Sequence, residues 1–140
     1  MPTEVFLDPA YAIALSSHND QFHTRAVELA EWLRATGMRL VTSRAVLVEI
    51  GNALSKPRHR PTAVKLLYAL EMDPNIEIVP LSEKVYLQAF QLYRERLDKE
   101  WGLTDCISFV VMRERGIDDA LTTDEHFQQR GFRALLRESS

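Results

Sequence analysis

Arg39-Leu40-Val41-Thr42-Ser43-Arg44-Ala45-Val46-Leu47-Val48-Glu49-Ile50-Gly51-Asn52-Ala53-Leu54 passes without a break from the pattern of a strand into that of a helix, and carries an acid inside the helix. Residues 39–42 are short, apolar and β-branched enough to predict a buried strand. Ser43 is a capping residue, so a helix is expected from Arg44 to Ser55, where Pro57 prevents it from continuing far. A strand that feeds directly into a helix of this length is the repeating unit of a parallel sheet, because parallel neighbours need a long crossover. Glu49 breaks a stretch that would otherwise be pure core. A buried carboxylate is costly unless it is paired or binds a cation, so this acid calls for a purpose.

The same habit recurs along the chain. Val5-Phe6-Leu7 reads as a strand that ends on Asp8, Asp105 opens the apolar stretch running to Met112, and Asp124 closes Ala120-Leu121-Thr122-Thr123. Between these points the expected elements alternate. A brief helix is predicted over Tyr11 to Leu15 and an amphipathic one from Gln21 to about Thr36, where Gly37 stops it. Pro61 suits the first turn of a helix to about Met72, followed by a turn at Asp73-Pro74-Asn75 and a strand from Ile76 to Val79 that Pro80 cuts off. Ser82 caps a long helix containing Val85, Ala89, Leu92 and Tyr93, and a polar passage from Arg94 to Gly102 leads to a buried helix from about Thr104 to Gly116. Asp119 to Thr122 gives a fourth strand and Phe132 to Leu136 a weak fifth.

Strands separated by helices predict an α/β fold of three layers, α/β/α, around a mostly parallel sheet of four or five strands. In open sheets of this kind ligands bind outside the carboxyl ends of the strands. Asp8 and Asp124 fall at such ends, Asp105 lies at a helix start that borders the same edge, and Glu49 shares a helix face with Val46 and Ala53. The four acids are therefore expected to converge.

The 140 residues, 46% hydrophobic and 26% charged, match one ordinary domain, residues 1–140, able to bury its own core. No apolar run approaches the roughly 20 residues of a membrane span, and the start lacks the features of a signal peptide, so a cytoplasmic protein without membrane contact is expected. A single cysteine, Cys106, excludes an internal disulfide and a thiolate zinc cluster, leaving oxygen or imidazole to hold any metal. The net charge of −3 argues against broad charge-driven nucleic-acid binding. A local basic segment, Lys56, Arg58 and Arg60 with Arg44 ahead of it, is either a solvated loop or a contact for RNA or an acidic partner.

With these elements in place the chain resembles the PIN-domain ribonucleases, and among them the toxins of VapC-type toxin–antitoxin pairs. The resemblance spans essentially the whole chain and rests on Val5-Phe6-Leu7-Asp8, Leu47-Val48-Glu49-Ile50-Gly51-Asn52-Ala53-Leu54, Leu103-Thr104-Asp105-Cys106-Ile107-Ser108 and Leu121-Thr122-Thr123-Asp124-Glu125-His126-Phe127, taken in order and spacing. It implies that Asp8, Glu49, Asp105 and Asp124 form a pocket for Mg2+ or Mn2+, that the activity is endoribonuclease, and that the partners are RNA, a small cognate antitoxin and a second copy of the chain. A homodimer is compatible with the apolar helices around Leu29, Leu33, Leu66, Leu67 and Leu70. One departure stands out: Pro9 and Ala10 follow the first acid, where the family often carries Thr or Ser.

Hard oxygen ligands suit Mg2+ or Mn2+, and such an ion, one or two per site, activates water and offsets charge on a phosphodiester. Asp8 and Asp105 are the expected direct ligands, Glu49 a ligand or water-orienting base, and Asp124 an outer or second-metal ligand. Thr104, Ser108 and Thr123 are nearby hydroxyls able to orient these acids, though Thr104 is equally suited to cap its helix. Cys106 is expected to be a buried structural thiol, His18, His23 and His126 to have surface or capping roles, and Trp101 to pack between helices. Two other classes are compatible with acids at a sheet edge. A catalytically silent binding module of the same fold is one; a phospho-accepting receiver domain is the other, although it wants an acidic pair before the first strand ends and a Lys after the last.

Overall fold

A computed structural model of the chain describes residues 3–138. Among these the elements run β1 (Glu4–Leu7), α1 (Pro9–Ser16), α2 (His23–Thr36), β2 (Arg39–Ser43), α3 (Arg44–Ala53), α4 (Arg60–Met72), β3 (Ile76–Val79), α5 (Glu83–Glu95), α6 (Leu103–Arg115), β4 (Asp119–Leu121), α7 (Glu125–Gln129) and β5 (Arg133–Ala134), with a 3-10 turn at Leu135–Arg137. The strands form one sheet in the order β3-β2-β1-β4-β5, and every neighbouring pair is parallel. Helices flank this sheet in an α/β/α arrangement, with α1 against α2, α3 and α4, and with α6 against α5, α3 and α7.

The expected boundaries hold where a local signal sets them. Ser43 Oγ accepts the Val46 N–H at 3.2 Å and Ser82 Oγ accepts the Val85 N–H at 3.1 Å, so both serines start their helices. Gly37 and Gly116, with φ of 70° and 66°, end α2 and α6 in the left-handed region that a side chain disfavours. Differences arise where the signal was weak. Helix α1 begins two residues earlier than expected because Pro9 occupies its first turn, where a missing N–H costs nothing. Helix α6 starts at Leu103 with Gly102 at its cap position, which removes the capping role from Thr104. Helix α7, a single short turn and a half, was not foreseen, and the fifth strand shrinks to two residues because Leu135 and Leu136 turn inward.

The core lies on both faces of β1 and β2 and under β4. Phe6, Leu7, Val41, Val46, Ile50, Phe109, Met112, Leu121 and Phe127 are almost wholly shielded from water. Burying each such side chain contributes about 1.5–3 kcal/mol against the conformational entropy of folding. Leu29, Leu33 and Leu70 are buried in that same core, and Leu66 and Leu67 pack on it. The outer faces of the same two helices still expose apolar side chains, Val27 and Trp32 on α2 and Val64, Tyr68 and Met72 on α4. Exposed apolar side chains also run along α5 and just beyond it, at Tyr86, Phe90, Tyr93 and Leu97. No helix of the described residues is long and apolar enough to cross a membrane.

Sheet order decides where a site can form. From β1 the chain moves to β2 and β3 on one side, and later returns to place β4 on the other. The carboxyl ends of β1 and β4 thus flank a switch point, where the flanking loops diverge and leave a crevice.

Candidate active site

Asp8 emerges from β1 at this crevice. It holds the cap position of α1 but its side chain makes no capping bond, so its carboxylate remains turned to other partners. Thr122, directly after β4, donates from Oγ1 to Asp8 Oδ2 at 2.8 Å in a fully buried contact. The Asp124 N–H in turn donates to Thr122 Oγ1 at 3.0 Å, and Asp124 Oδ1 accepts the His126 N–H at 2.8 Å, which starts α7. Asp105 sits in the first turn of α6. There its Oδ2 accepts the Gly102 N–H at 3.1 Å, a favourable position for an acid at a helix start.

Asp8, Glu49, Asp105 and Asp124 line one open cleft, together with Pro9, Ala10, Ile13, Ala53, Thr123, Glu125 and Arg137. All four acids expected from the sequence are brought together, and Glu125 adds a fifth. Asp8 is buried, Asp105 and Asp124 are half-buried, and Glu49 is exposed beside an exposed Val48, so its part of α3 lines the open cleft and is not the pure core expected from the sequence. Burial, with the charges of Glu49, Asp105 and Asp124 added, pushes the Asp8 carboxyl up to about 8 in spite of the Thr122 hydrogen bond. Desolvation by the neighbouring cleft walls raises Glu49 as well, though its side chain reaches solvent, and Asp105 and Asp124 add to it. Asp105 is raised by burial and by Asp124, partly offset by the Gly102 N–H and by His126.

His126 corrects the reading from sequence. Its Nδ1 lies 3.1 Å from Asp105 Oδ2 and 3.3 Å from Asp124 Oδ1, so the imidazole joins two of the acids instead of facing solvent. Asp105, Asp124 and His126 present ligand atoms within 4.8 Å of one another. The five-residue α7 makes this possible, because its start returns the chain toward the first turn of α6.

The hydroxyls divide differently from expectation. Thr122, not foreseen, makes the contact to Asp8, while Thr123 lines the cleft and its carbonyl accepts a bond from Arg137. The Thr122-x-Asp124 spacing is the one signal that points to it, since a Thr two residues ahead of an Asp is placed to receive that Asp's own backbone N–H. Ser108 is buried on α6 with its hydroxyl oxygen unpartnered among the described residues. Thr104 is half-buried beside Asp105 and lies outside the cleft lining.

The basic segment also lies away from the acids. Arg44 pairs with Glu71, and the Arg60 guanidinium donates to the Ser55 carbonyl at 2.7 and 3.2 Å. Arg58 leans on His59, and neither they nor Lys56 line the cleft. The cation found there is Arg137, which the sequence reading missed. Trp101 is buried edge-on to Phe109 and donates from Nε1 to Gln129, so it packs between helices and has no free face for a base. Cys106 is buried, with its thiol pushed up to about 11 by burial and then by Asp105, far from a reactive thiolate.

Three comparisons bear on the family and the fold. A family model described as the PIN domain matches residues 5–133. Two curated relatives, both named 23S rRNA-specific endonuclease VapC20 and from two strains of Mycobacterium tuberculosis, are 27% identical over 128 residues, covering 91% of this chain and 95% of theirs. The crystal structure of Mycobacterium tuberculosis VapC20, titled a sarcin–ricin loop cleaving toxin, superposes with a TM-score of 0.81 at 25% identity, covering 93% of this chain and 97% of that one. VapBC2 from Rickettsia felis, bound to promoter DNA, superposes with a TM-score of 0.66 at 16% identity over 90% of this chain and 92% of that one, a likeness of fold alone.

Proposed function

Because this chain belongs to the PIN-domain family, we propose that it is a divalent-metal-dependent endoribonuclease and the toxin of a toxin–antitoxin pair, acting in the cytoplasm. The observation that carries the reading is the convergence of Asp8, Glu49, Asp105 and Asp124 on one cleft at the sheet's switch point.

The residues present fit a hard divalent cation. Four carboxylates face each other in a setting that pushes Asp8 to about 8, an arrangement that holds more negative charge than it can stabilise without a cation. Oxygen donors dominate the set, as Mg2+ or Mn2+ requires, and the imidazole of His126 is within reach of the same space. Asp8 and Asp105 are assigned as the direct ligands, and Asp124 as an outer or second ligand. A bound cation of this kind lowers the pKa of its water and offsets charge on the phosphate oxygens.

The chain's own groups do the rest. Thr122 Oγ1 holds Asp8 in one orientation through Oδ2. Glu49, with its carboxyl raised above its ordinary value, is suited to take a proton from an attacking water at its carboxylate oxygen. The Gly102 N–H fixes Asp105 Oδ2 against rotation.

The substrate is RNA, and the names of the Mycobacterium relatives make a sarcin–ricin loop oligonucleotide the first one to try. A small antitoxin is the expected inhibitor, presenting a cation to the acids. A homodimer is supported by the apolar stripe Tyr86, Phe90 and Tyr93, spaced on one side of α5, with Leu97 exposed just beyond its end.

The direct test is incubation of the purified chain with that RNA in Mg2+ or Mn2+, and again with excess chelator. Cleavage is expected only with the ion, and is abolished in Asp8→Asn and Asp105→Asn. Cleavage undiminished by chelator would overturn the mechanism.

A further inference from the structure

The cleft that gathers five acids contains one basic side chain among its lining residues, Arg137. An isolated arginine beside so many carboxylates would be expected to collapse onto one of them. It does not: among the described residues no carboxylate oxygen lies within ion-pair distance of its guanidinium. Its NH1 instead donates to the Thr123 carbonyl at 2.8 Å. The neighbouring Glu138 is held by Arg133, and Asp124 Oδ1 by the His126 N–H.

The backbone that carries Arg137 is tied to the same strand end as the acids. The Leu136 N–H donates to the Thr122 carbonyl at 3.2 Å, Arg25 Nε donates to the Leu135 carbonyl at 3.2 Å, and Leu135 and Leu136 are buried beneath. The 3-10 turn is therefore clamped from both sides, while Arg137 itself is exposed. A rigidly mounted guanidinium with one N–H committed to the Thr123 carbonyl, and no other partner among the described residues, is suited to an anion that presents paired oxygens.

We propose that Arg137 binds the RNA phosphodiester that enters the cleft, donating to a non-bridging phosphate oxygen. This rests on the nuclease reading above. The acids alone repel a phosphate, and a cation among the residues lining their cleft offsets that repulsion beside Thr123. Its guanidinium also gives direction, since the Thr123 carbonyl fixes which N–H groups remain for the substrate.

The test measures RNA binding and cleavage separately. Binding of a fluorescent sarcin–ricin loop RNA is followed by anisotropy in an Asp105→Asn background, across a salt series, and steady-state cleavage is measured without that change. Arg137→Ala should weaken RNA binding about tenfold and reduce the salt slope by about 1, with KM rising more than kcat falls. Arg137→Lys should restore the slope but only part of the affinity. Arg39→Ala, at the amino end of β2, should change neither.

Arg137→Ala with wild-type binding, slope and KM overturns the role. So does a loss of binding that Arg137→Lys leaves unrelieved and that accompanies a fall in melting temperature, since the residue would then serve the fold. A wild-type chain that neither binds nor cleaves RNA overturns the nuclease reading, and this role with it.

Discussion

Thr122 Oγ1 donates to Asp8 Oδ2 at 2.8 Å across 114 residues of sequence, and joins the ends of β1 and β4 at the point where the sheet reverses its order. The bond supplies from β4 the hydroxyl that Pro9 and Ala10 do not supply beside Asp8. Thr122→Val keeps the shape and removes the donor. It should lower Mn2+ affinity and cleavage by about 10- to 100-fold, at a stability cost of about 1–2 kcal/mol. Calorimetric titration of Mn2+ checks the first and urea unfolding the second.

Asp8 also makes stability depend on pH. Its folded pKa of about 8 stands above the ordinary 3.8, so the folded chain holds the proton more tightly than the unfolded one. The contribution is fully present below about pH 4 and is lost as pH rises through about 8. In chelator, the wild type should lose stability on the order of a few kcal/mol between pH 5 and pH 9. Asp8→Asn should flatten this fall and be the more stable protein at pH 8. Denaturant midpoints that rise with pH in the wild type would contradict the assignment of a buried, proton-holding Asp8.

His126 ties Asp105 to Asp124 through one ring nitrogen. His126→Ala should separate the two acids, raise the Mn2+ concentration needed for half-maximal cleavage several-fold, and leave the fold in place because the ring is partly exposed. His126→Asn, which retains a donor, should lie between. An unchanged metal requirement would reduce His126 to a helix-start residue.

Phe90 and Tyr93 are respectively 40% and 46% exposed on α5, beside Tyr86 and Leu97. Phe90→Glu should shift the chain from dimer to monomer in sedimentation at tens of micromolar, with little change in melting temperature, because the side chain is not part of the core. A wild type that sediments as a monomer at that concentration removes the dimer from the proposal.

The strand and helix order, the caps at Ser43 and Ser82 and the stops at Gly37 and Gly116 were legible because each depends on residues within one turn of each other. The four acids were legible because each interrupts an apolar pattern, and a charge on a core element is conspicuous whatever surrounds it. Thr122, His126 and Arg137 were not. A histidine and an arginine among polar residues have many solvated uses, and the Thr122-x-Asp124 spacing marks a turn without showing that Asp8 is the acceptor of its hydroxyl.

By itself the sequence determined a parallel α/β sheet, the edge of that sheet where acids gather, and the hard oxygen chemistry they offer, since all three follow from periodicity and residue type. The tertiary structure alone decided which strands are neighbours, and hence that β1 and β4 bring Thr122 to Asp8. It decided that a five-residue helix turns His126 onto Asp105 and Asp124, and that a 3-10 turn clamped on β4 carries Arg137 to the cleft. These are contacts between distant segments, and their geometry depends on how buried side chains such as Phe127, Leu135 and Leu136 seat their elements on the sheet, which no local pattern records.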